Sequence, residues 1–592
     1  MPEHIDQIFF HKGLNTLTDP LHLTDGELTV AEGVGFFNPG TIEPLPKREK
    51  VSGVALSSIH TLFRYLNWLV AGAGSNLYYQ WDMDGYCNRY SHPNRNFTLS
   101  GSLDSSKTES VIGYQDFIFL ANGVSNKAFE KGKTLNWSFL NPPSAPVIAV
   151  GAAGNPTGTM TAYYTYLYRF SNGHIVESAP SPASAEVAFA SEKISWSGIS
   201  VCPDVPEGAV VWRNLYRYST GIGGINFVAS IENNTATTYT DNIADATVTA
   251  ASTITTEDYV PFPDSLVSME LHLNRIFGIK ENKLWWSEPY LPFQTKLANN
   301  IQVCPNDEKL TAIIKYADTL YFASQKTWYK LSGTDPTTWS VKGTYSDIGV
   351  IATNSVKSTK YGILSVWYDG IYLFNGVTAK PITNTKLDEA DYWSYTDYGS
   401  STKETSICEF DGEIYSLHSG NAYGSGLNVN MKFYPEYTLS NDNLDLTAMR
   451  FHAISGKYYI GKSDGYLYYR NPITGQSLST DAKYLDIKSK AFVGGNALKQ
   501  KCAKYLYYDI FTNSKDVTVY IYVDSLDNTI TSADLKQYYT TTINSGTKRE
   551  RGRLELPDLE GYNFTLEIVN TTNAVGIKVF QPWALHTVIV GD

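Results

Sequence analysis

Arg275-Ile276-Phe277-Gly278, a turn at Glu281-Asn282, and Leu284-Trp285-Trp286 form the stretch on which the fold reading turns. It is an aromatic-rich strand, a turn of small polar residues, and a strand carrying two bulky residues in a row. Such short runs bounded by turn residues read as a β-hairpin. The unit recurs downstream as Thr319-Leu320-Tyr321-Phe322 followed by Trp328-Tyr329. Upstream it appears as Asn67-Trp68-Leu69-Val70 with Leu77-Tyr78-Tyr79, and in weaker form as Asp116-Phe117-Ile118-Phe119 with Ala128-Phe129.

Three further copies share an Asp-Gly turn, a strong hairpin signal. They are Asp369-Gly370-Ile371-Tyr372, Asp411-Gly412-Glu413-Ile414-Tyr415 and Asp464-Gly465-Tyr466-Leu467-Tyr468. Trp285, Tyr329, Tyr372 and Tyr415 follow one another at steps of 44, 43 and 43 residues, and Tyr468 comes 53 later. A period of roughly 40–50 residues with several short strands per unit is the sequence signature of propeller blades. One such sheet leaves both faces bare, so the units must pack against one another. Unrelated hairpins in separate sandwiches are the plainer alternative, and the near-equal steps argue against it.

Composition agrees with an almost all-β chain. Of 592 residues, 14% are aromatic and 43 are tyrosine, while 45 glycines and 25 prolines supply turns. Charged residues are only 18%, against about 25% in an average soluble domain. No stretch approaches the roughly 18 apolar residues of a membrane helix. The opening Met1-Pro2-Glu3-His4-Ile5-Asp6 lacks the basic and apolar regions of a secretory signal, so synthesis and assembly in a cytoplasm are expected. Cys87, Cys202, Cys304, Cys408 and Cys502 lie about a hundred residues apart, too far for a zinc cluster or a disulfide framework, and read as buried thiols. A net charge of −12 disfavours a protein that grips nucleic acid by neutralising phosphates, but not one that DNA merely passes through.

The interval between Phe129 and Trp285 is too long for one blade. A stiff linker, Asn141-Pro142-Pro143-Ser144-Ala145-Pro146, opens a run of short strands such as Ala162-Tyr163-Tyr164-Thr165-Tyr166-Leu167-Tyr168 and Val210-Val211-Trp212-Arg213. This run reads as an inserted immunoglobulin-like or fibronectin III-like sandwich. The fold expected is therefore a β-propeller of six or seven blades with that insertion and a C-terminal β-rich region. The boundaries are an arm at 1–50, first blades at 51–140, the insert at 141–258, remaining blades at 259–485, and a C-terminal β domain or closing blade at 486–592.

Several motifs tempt toward chemistry and fall short. Gly456-Lys457-Tyr458-Tyr459-Ile460-Gly461-Lys462-Ser463 fits the phosphate-loop pattern, but its middle is strand-like and a hairpin turn follows where a helix is needed. Asp82-Met83-Asp84-Gly85 resembles the start of a calcium loop, yet its twelfth position is Pro93, which has no side-chain oxygen. The ten histidines show no zinc spacing, and Gly424-Ser425-Gly426 is no hydrolase elbow. No pair of carboxylates is singled out for glycoside cleavage. No catalytic, cofactor-binding or metal residues are assigned. Lys548-Arg549-Glu550-Arg551-Gly552-Arg553 is the one dense basic cluster, read as a solvated hairpin tip ahead of a contact to phosphates or an acidic neighbour.

The N-terminal segment carries a resemblance. It runs His11-Lys12-Gly13-Leu14-Asn15-Thr16, then Asp25-Gly26-Glu27-Leu28, then Gly33-Val34-Gly35-Phe36-Phe37-Asn38-Pro39-Gly40-Thr41-Ile42-Glu43-Pro44-Leu45-Pro46-Lys47. This resembles the opening of tail nozzle proteins of short-tailed bacteriophages, also called tail tubular B or packaged-DNA-stabilisation proteins. Ile42 stands where that family has leucine, and Pro46-Lys47 where it has Pro-Gly. The resemblance implies a non-enzymatic structural virion protein of the phage tail, assembled in the host cytoplasm. It implies a homo-oligomeric ring, usually a hexamer, that extends the portal-adaptor channel, retains packaged double-stranded DNA and conducts it on ejection. Head-tail adaptor proteins and tail fibres or spikes would be its partners, with no cofactor and no membrane span. The competing reading is a carbohydrate-binding or glycan-cleaving propeller, such as a receptor-binding tail protein. A bacterial extracellular scaffold is a third.

Overall fold

The computed structural model describes residues 3–36, 40–44, 48–50, 56, 59–65, 68–80, 96–99, 110–130, 133–137, 139–206, 208–383, 386, 406–410, 414–418, 429–432, 438–441, 448–452, 457–461, 465–470, 485–524, 538–572, 574 and 576–590. Among them the chain is almost all β, with a single short helix, Asp245–Thr249. It divides into two units. One comprises Met1–Phe97, Leu103–Thr108 and Thr344–Asp592, the other Thr98–Ser102 and Glu109–Gly343.

The second unit contains three four-stranded antiparallel meanders, in each of which strands pair in chain order. The first is Ser110–Tyr114, Phe117–Ala121, Asn126–Glu130 and Lys133–Asn136. The next is Ser268–His272, Arg275–Lys280, Lys283–Trp286 and Asn300–Gln302, and the last Leu310–Tyr316, Thr319–Ser324, Trp328–Ser332 and Ser340–Gly343. In all three, a two-residue loop joins the first two strands: Gln115-Asp116, Leu273-Asn274 and Ala317-Asp318. Both loop residues have positive φ in each case, which is the twist-matched hairpin turn. Asp or Asn at the second position tolerates that conformation better than most side chains. The first strands of successive meanders lie side by side. Ser110 Oγ accepts the Met269 amide at 3.0 Å across one junction, and Glu270 Oε2 accepts the Lys315 amide at 3.3 Å across the next.

Between the first and second of these meanders lies the inserted segment. Its strands are tied into one hydrogen-bonded sheet by Val147–Arg169, which is 23 residues long. One half of that strand pairs with Val187–Ser197, with register shifts between Val150 and Thr157, and the other pairs in continuous register with Val210–Ser219. Tyr164, Tyr168 and Trp196 turn inward and join Phe117, Phe119, Trp137 and Phe293 in a continuous core. Trp137 stacks on Phe262 at 4.7 Å and donates its indole N–H to the Pro292 carbonyl at 3.1 Å. On the same sheet Arg217 is fully buried, held by Asp241 at 2.6 Å and Asp245 at 2.9 Å.

The first unit holds four more meanders. They begin at Ile59–Tyr65, Lys357–Thr359, Ser406–Phe410 and Ala448–His452. The last has only three strands of its own, and Arg48–Lys50 from near the N-terminus supplies the fourth, pairing with Leu467–Arg470. Its first strand, Ala448–His452, lies beside Ile59–Tyr65 and Ser406–Phe410. Trp285, Tyr329, Tyr372 and Tyr468 all sit in third strands, but Tyr415 sits in the second strand of its sheet. The step of 43 residues from Tyr372 to Tyr415 therefore compares different strands.

The arm and the C-terminal region share one core. Glu3–Ile8 pairs with Trp583–Ile589, Thr41–Pro44 with Lys578–Phe580, and Glu27–Glu32 with Leu485–Phe492. Two sheets result, with Ile8, Phe10, Leu28 and Ile42 of the arm packed among Leu506, Ile510, Ile568 and Trp583. Each arm strand is too short to bury an apolar face alone, so it joins whichever sheet covers it. The C-terminal hundred residues thus share both of their sheets with strands of the arm.

Candidate functional site: two charge clusters on the terminal sheets

The basic cluster lies on the outer face of the sheet that contains both chain ends. Glu550–Gly561 pairs with Lys501–Phe511, setting Asp509 opposite Arg551, Tyr507 opposite Arg553 and Tyr505 opposite Glu555. Period-two alternation puts these six on one face, while Leu506, Tyr508 and Ile510 turn into the core. Two neighbouring strands extend the rows: Ile5 and His586 continue the row of Tyr505, and Gln7 and Ala584 that of Tyr507.

Asp509 is the anchor of this face. Arg549 donates to it through Nε and Nη2, both at 2.6 Å, and Arg551 through Nε at 2.7 Å. Burial would raise its carboxyl, but the hydrogen bonds and charges of Arg549 and Arg551 outweigh burial and hold it below the usual range. The Arg549 guanidinium lies 3.7 Å above the Phe580 ring. Arg553 lies 4.6 Å above Tyr505, which stacks on His586 at 5.6 Å. Arg551 is 76% exposed, Ile5 56% and Tyr507 37%, so the face presents cations with aliphatic and aromatic surface to solvent. The run 548–553 is therefore a built cation–aromatic face, and Asp509 neutralises only part of it.

The companion sheet carries the opposite arrangement. Glu32 is in register with Asp486, Lys488 with Glu567, and Glu567 with Tyr520. All face away from the core that holds Leu485, Ile487, Ile521 and Ile568. Tyr522 donates its hydroxyl to Glu567 Oε2 in a short hydrogen bond. Lys488 is 94% buried, with relative exposure of 6%, and its ammonium sits 4.9 Å from the centre of the Tyr522 ring. Asp486 lies within hydrogen-bond reach of Glu567. Burial, then the charges of Glu567 and Glu32, push its carboxyl up to about 8, against the pull of Lys488. Burial and the bond to Glu567 likewise raise the Tyr522 phenol.

This cluster is not legible in the sequence. Glu32, Asp486 and Glu567 lie on three strands far apart in the chain, and only register brings them together. The one local signal is Leu485-Asp486-Ile487-Lys488, whose alternation puts Asp486 and Lys488 on a single face.

The other motifs resolve simply. Lys457–Gly461 of the phosphate-loop match is a strand paired on both sides, with Ala448–His452 and Leu467–Arg470. The Asp82–Gly85 and Gly424–Gly426 motifs fall outside the described residues. Cys202, Cys304 and Cys502 are buried and free. Burial raises the Cys202 thiol, and burial with the charge of Glu308 pushes Cys304 up to about 11, which keeps both in the unreactive thiol form. Among the described residues no group of three or more His, Cys, Asp or Glu is placed to hold a metal, and no helix is long and apolar enough to cross a membrane.

No family model matches the chain, and no curated protein matches it. Among solved structures it is similar to the computationally designed Ika8 protein, with a TM-score of 0.32 at 11% identity, covering 72% of this chain and 100% of that one. It is also similar to a chain of the mitotic checkpoint complex, with a TM-score of 0.34 at 7% identity, covering 73% and 96%. At such scores neither likeness carries an argument about fold or function.

Proposed function

We propose that this chain is a structural subunit of the tail nozzle of a short-tailed bacteriophage. In that role it extends the portal-adaptor channel, retains packaged double-stranded DNA and conducts it on ejection. One observation carries the reading: seven four-stranded antiparallel meanders among the described residues, with first strands running side by side within each unit. We read the seven as blades of one β-propeller, with the segment 141–258 as a fibronectin III-like insertion. In a closed ring the first and last blades are neighbours. The adjacency of Ala448–His452 and Ile59–Tyr65 supports that arrangement, as does the strand Arg48–Lys50 that completes the last meander.

The N-terminal resemblance supplies the virion role, and charge is compatible with it. A chain of net charge −12 offers a passing duplex few cations to hold its phosphates. The cation–aromatic face around Arg551, Arg553 and Tyr505 is our candidate for the contact between neighbouring copies. A partner of the same acidic composition complements it, and a head-to-tail contact repeated by rotation closes into a ring.

Electron microscopy and mass measurement of the purified chain, alone and with its adaptor, test the proposal. Rings are expected, of six copies by the resemblance. The double variant Arg551→Glu, Arg553→Glu is expected to weaken assembly at least tenfold while leaving the β circular dichroism unchanged. A chain that stays monomeric and never docks to an adaptor rules the nozzle reading out. Rings that form equally well in the double variant rule out this face as the contact.

A further inference from the structure

We propose that Asp486 and Glu567 share a single proton, which fastens the C-terminal strand Leu485–Phe492 to Phe564–Asn570 and relieves repulsion from Glu32 on the adjoining arm strand Glu27–Glu32, and that alkali loosens this seam by removing it. The inference is independent of the nozzle reading.

The geometry leads to it directly. Asp486 Oδ1 is buried and meets no donor in the surrounding side chains, although the carboxyl lies beside Glu567. Two carboxylates repel, and they hydrogen-bond only when one of them is protonated. A proton between them satisfies the orphaned oxygen and removes one negative charge from a face where Glu32 is the third acid. The fourth charge is the Lys488 ammonium, already engaged by the Tyr522 ring. With the proton, the cluster holds two negative charges against one positive; without it, three against one.

The described elements packed against Asp486 set this balance. The arm strand presents Glu32, in register with it. Its own strand presents Lys488, and farther along Lys490, which Asp25 engages. Phe564–Asn570 presents Glu567. Val517–Val523 presents Tyr520 and Tyr522, and Tyr538 follows in register with Tyr522. The neighbouring strand Val34–Gly35 brings no titratable group. Removal of the shared proton therefore acts where Leu485–Phe492 lies between the arm strand and Phe564–Asn570.

The sign follows from linkage. An unfolded aspartate titrates near ~4, whereas folding pushes Asp486 up to about 8. Its contribution is fully present below the unfolded value and is lost as pH rises toward the folded one. In wild type the unfolding equilibrium constant is expected to rise by up to about tenfold per pH unit across that window from this group alone. Urea unfolding of the full chain and of Asp486→Asn, from pH 5 to 9, reads the difference. The variant cannot ionise, so its curve is expected to lack this component and to diverge upward in stability as pH rises.

Infrared spectra of the folded chain give a second readout that does not depend on the stability of the variant. A protonated carboxylic carbonyl band is expected near neutral pH, fading toward pH 9, and missing in Asp486→Asn or in Glu567→Gln. Cleavage of the arm by a protease is expected to accelerate over the same interval in wild type only. A wild-type spectrum without that band at pH 6, or a stability curve parallel to that of Asp486→Asn, overturns the proposal.

Discussion

Asp509 and Asp486 stand on the outer faces of two sheets that share a core, and their surroundings drive them in opposite directions. Asp509 is met by two guanidinium groups and held below the ordinary carboxylate range in spite of burial. Asp486 is met by two further acids and pushed well above it. Burial alone raises both; the sign is set by what the neighbouring strands bring into register. One face consequently fixes a negative charge under a layer of cations, and the other stores a proton. Acid weakens the first and alkali the second.

The largest expected effect that sharpens this contrast is at the anchor of the basic face. Asp509→Ala removes three charge-assisted hydrogen bonds from a side chain only 11% exposed. A stability loss of about 2 kcal/mol is expected at neutral pH, discounted because both arginines reach solvent. The loss measured by urea unfolding should begin to shrink as pH falls below about 4, where the unfolded carboxylate takes up a proton, and disappear as pH falls through the lower value of the folded carboxylate. A loss that stays constant from pH 7 down to the lowest pH at which the fold persists would mean that packing, not charge, is what Asp509 supplies.

A smaller effect tests the proton-storing face. Lys488→Met keeps the stem and deletes the one cation there, so Asp486 should hold its proton more tightly. The pH at which its infrared carbonyl band disappears is expected to rise by about one unit, worth about 1.4 kcal/mol. A downward move would show that Lys488 does not act on Asp486 through its charge. The smallest effect belongs to Arg551→Ala. Its side chain is 76% exposed and Asp509 keeps both bonds to Arg549, so a loss below about 1 kcal/mol is expected. A larger loss would mark Arg551 as a structural residue of the monomer and weaken its candidacy as a contact between copies.

Legibility in the sequence followed the range of the interactions. The hairpin units were readable because alternation, bulky pairs and turn residues all act within about ten residues. Even there, the two-residue turns at Gln115-Asp116, Leu273-Asn274 and Ala317-Asp318 carry little signal, since only one of each pair belongs to the residue types that usually announce such a turn. The Tyr415 step misled because aromatic residues occur in second and third strands alike. The basic run 548–553 was visible as composition, but its division into one well-anchored arginine and two outward ones depends on Asp509, forty residues away in the chain.

What the chain determined by itself is its β character, its meander after meander of short aromatic strands, and the burial of Cys202, Cys304 and Cys502. These rest on side-chain shape and alternation, which travel with the local sequence. Tertiary structure alone decided that the first fifty residues would be shared among three sheets, with Phe10 bonded to Gln581 and Arg48–Lys50 finishing a meander begun at Ala448. It also decided that Glu32, Asp486 and Glu567 would meet. Strand pairing sets such encounters through register, and register between distant segments is fixed only once their apolar faces have found a common core.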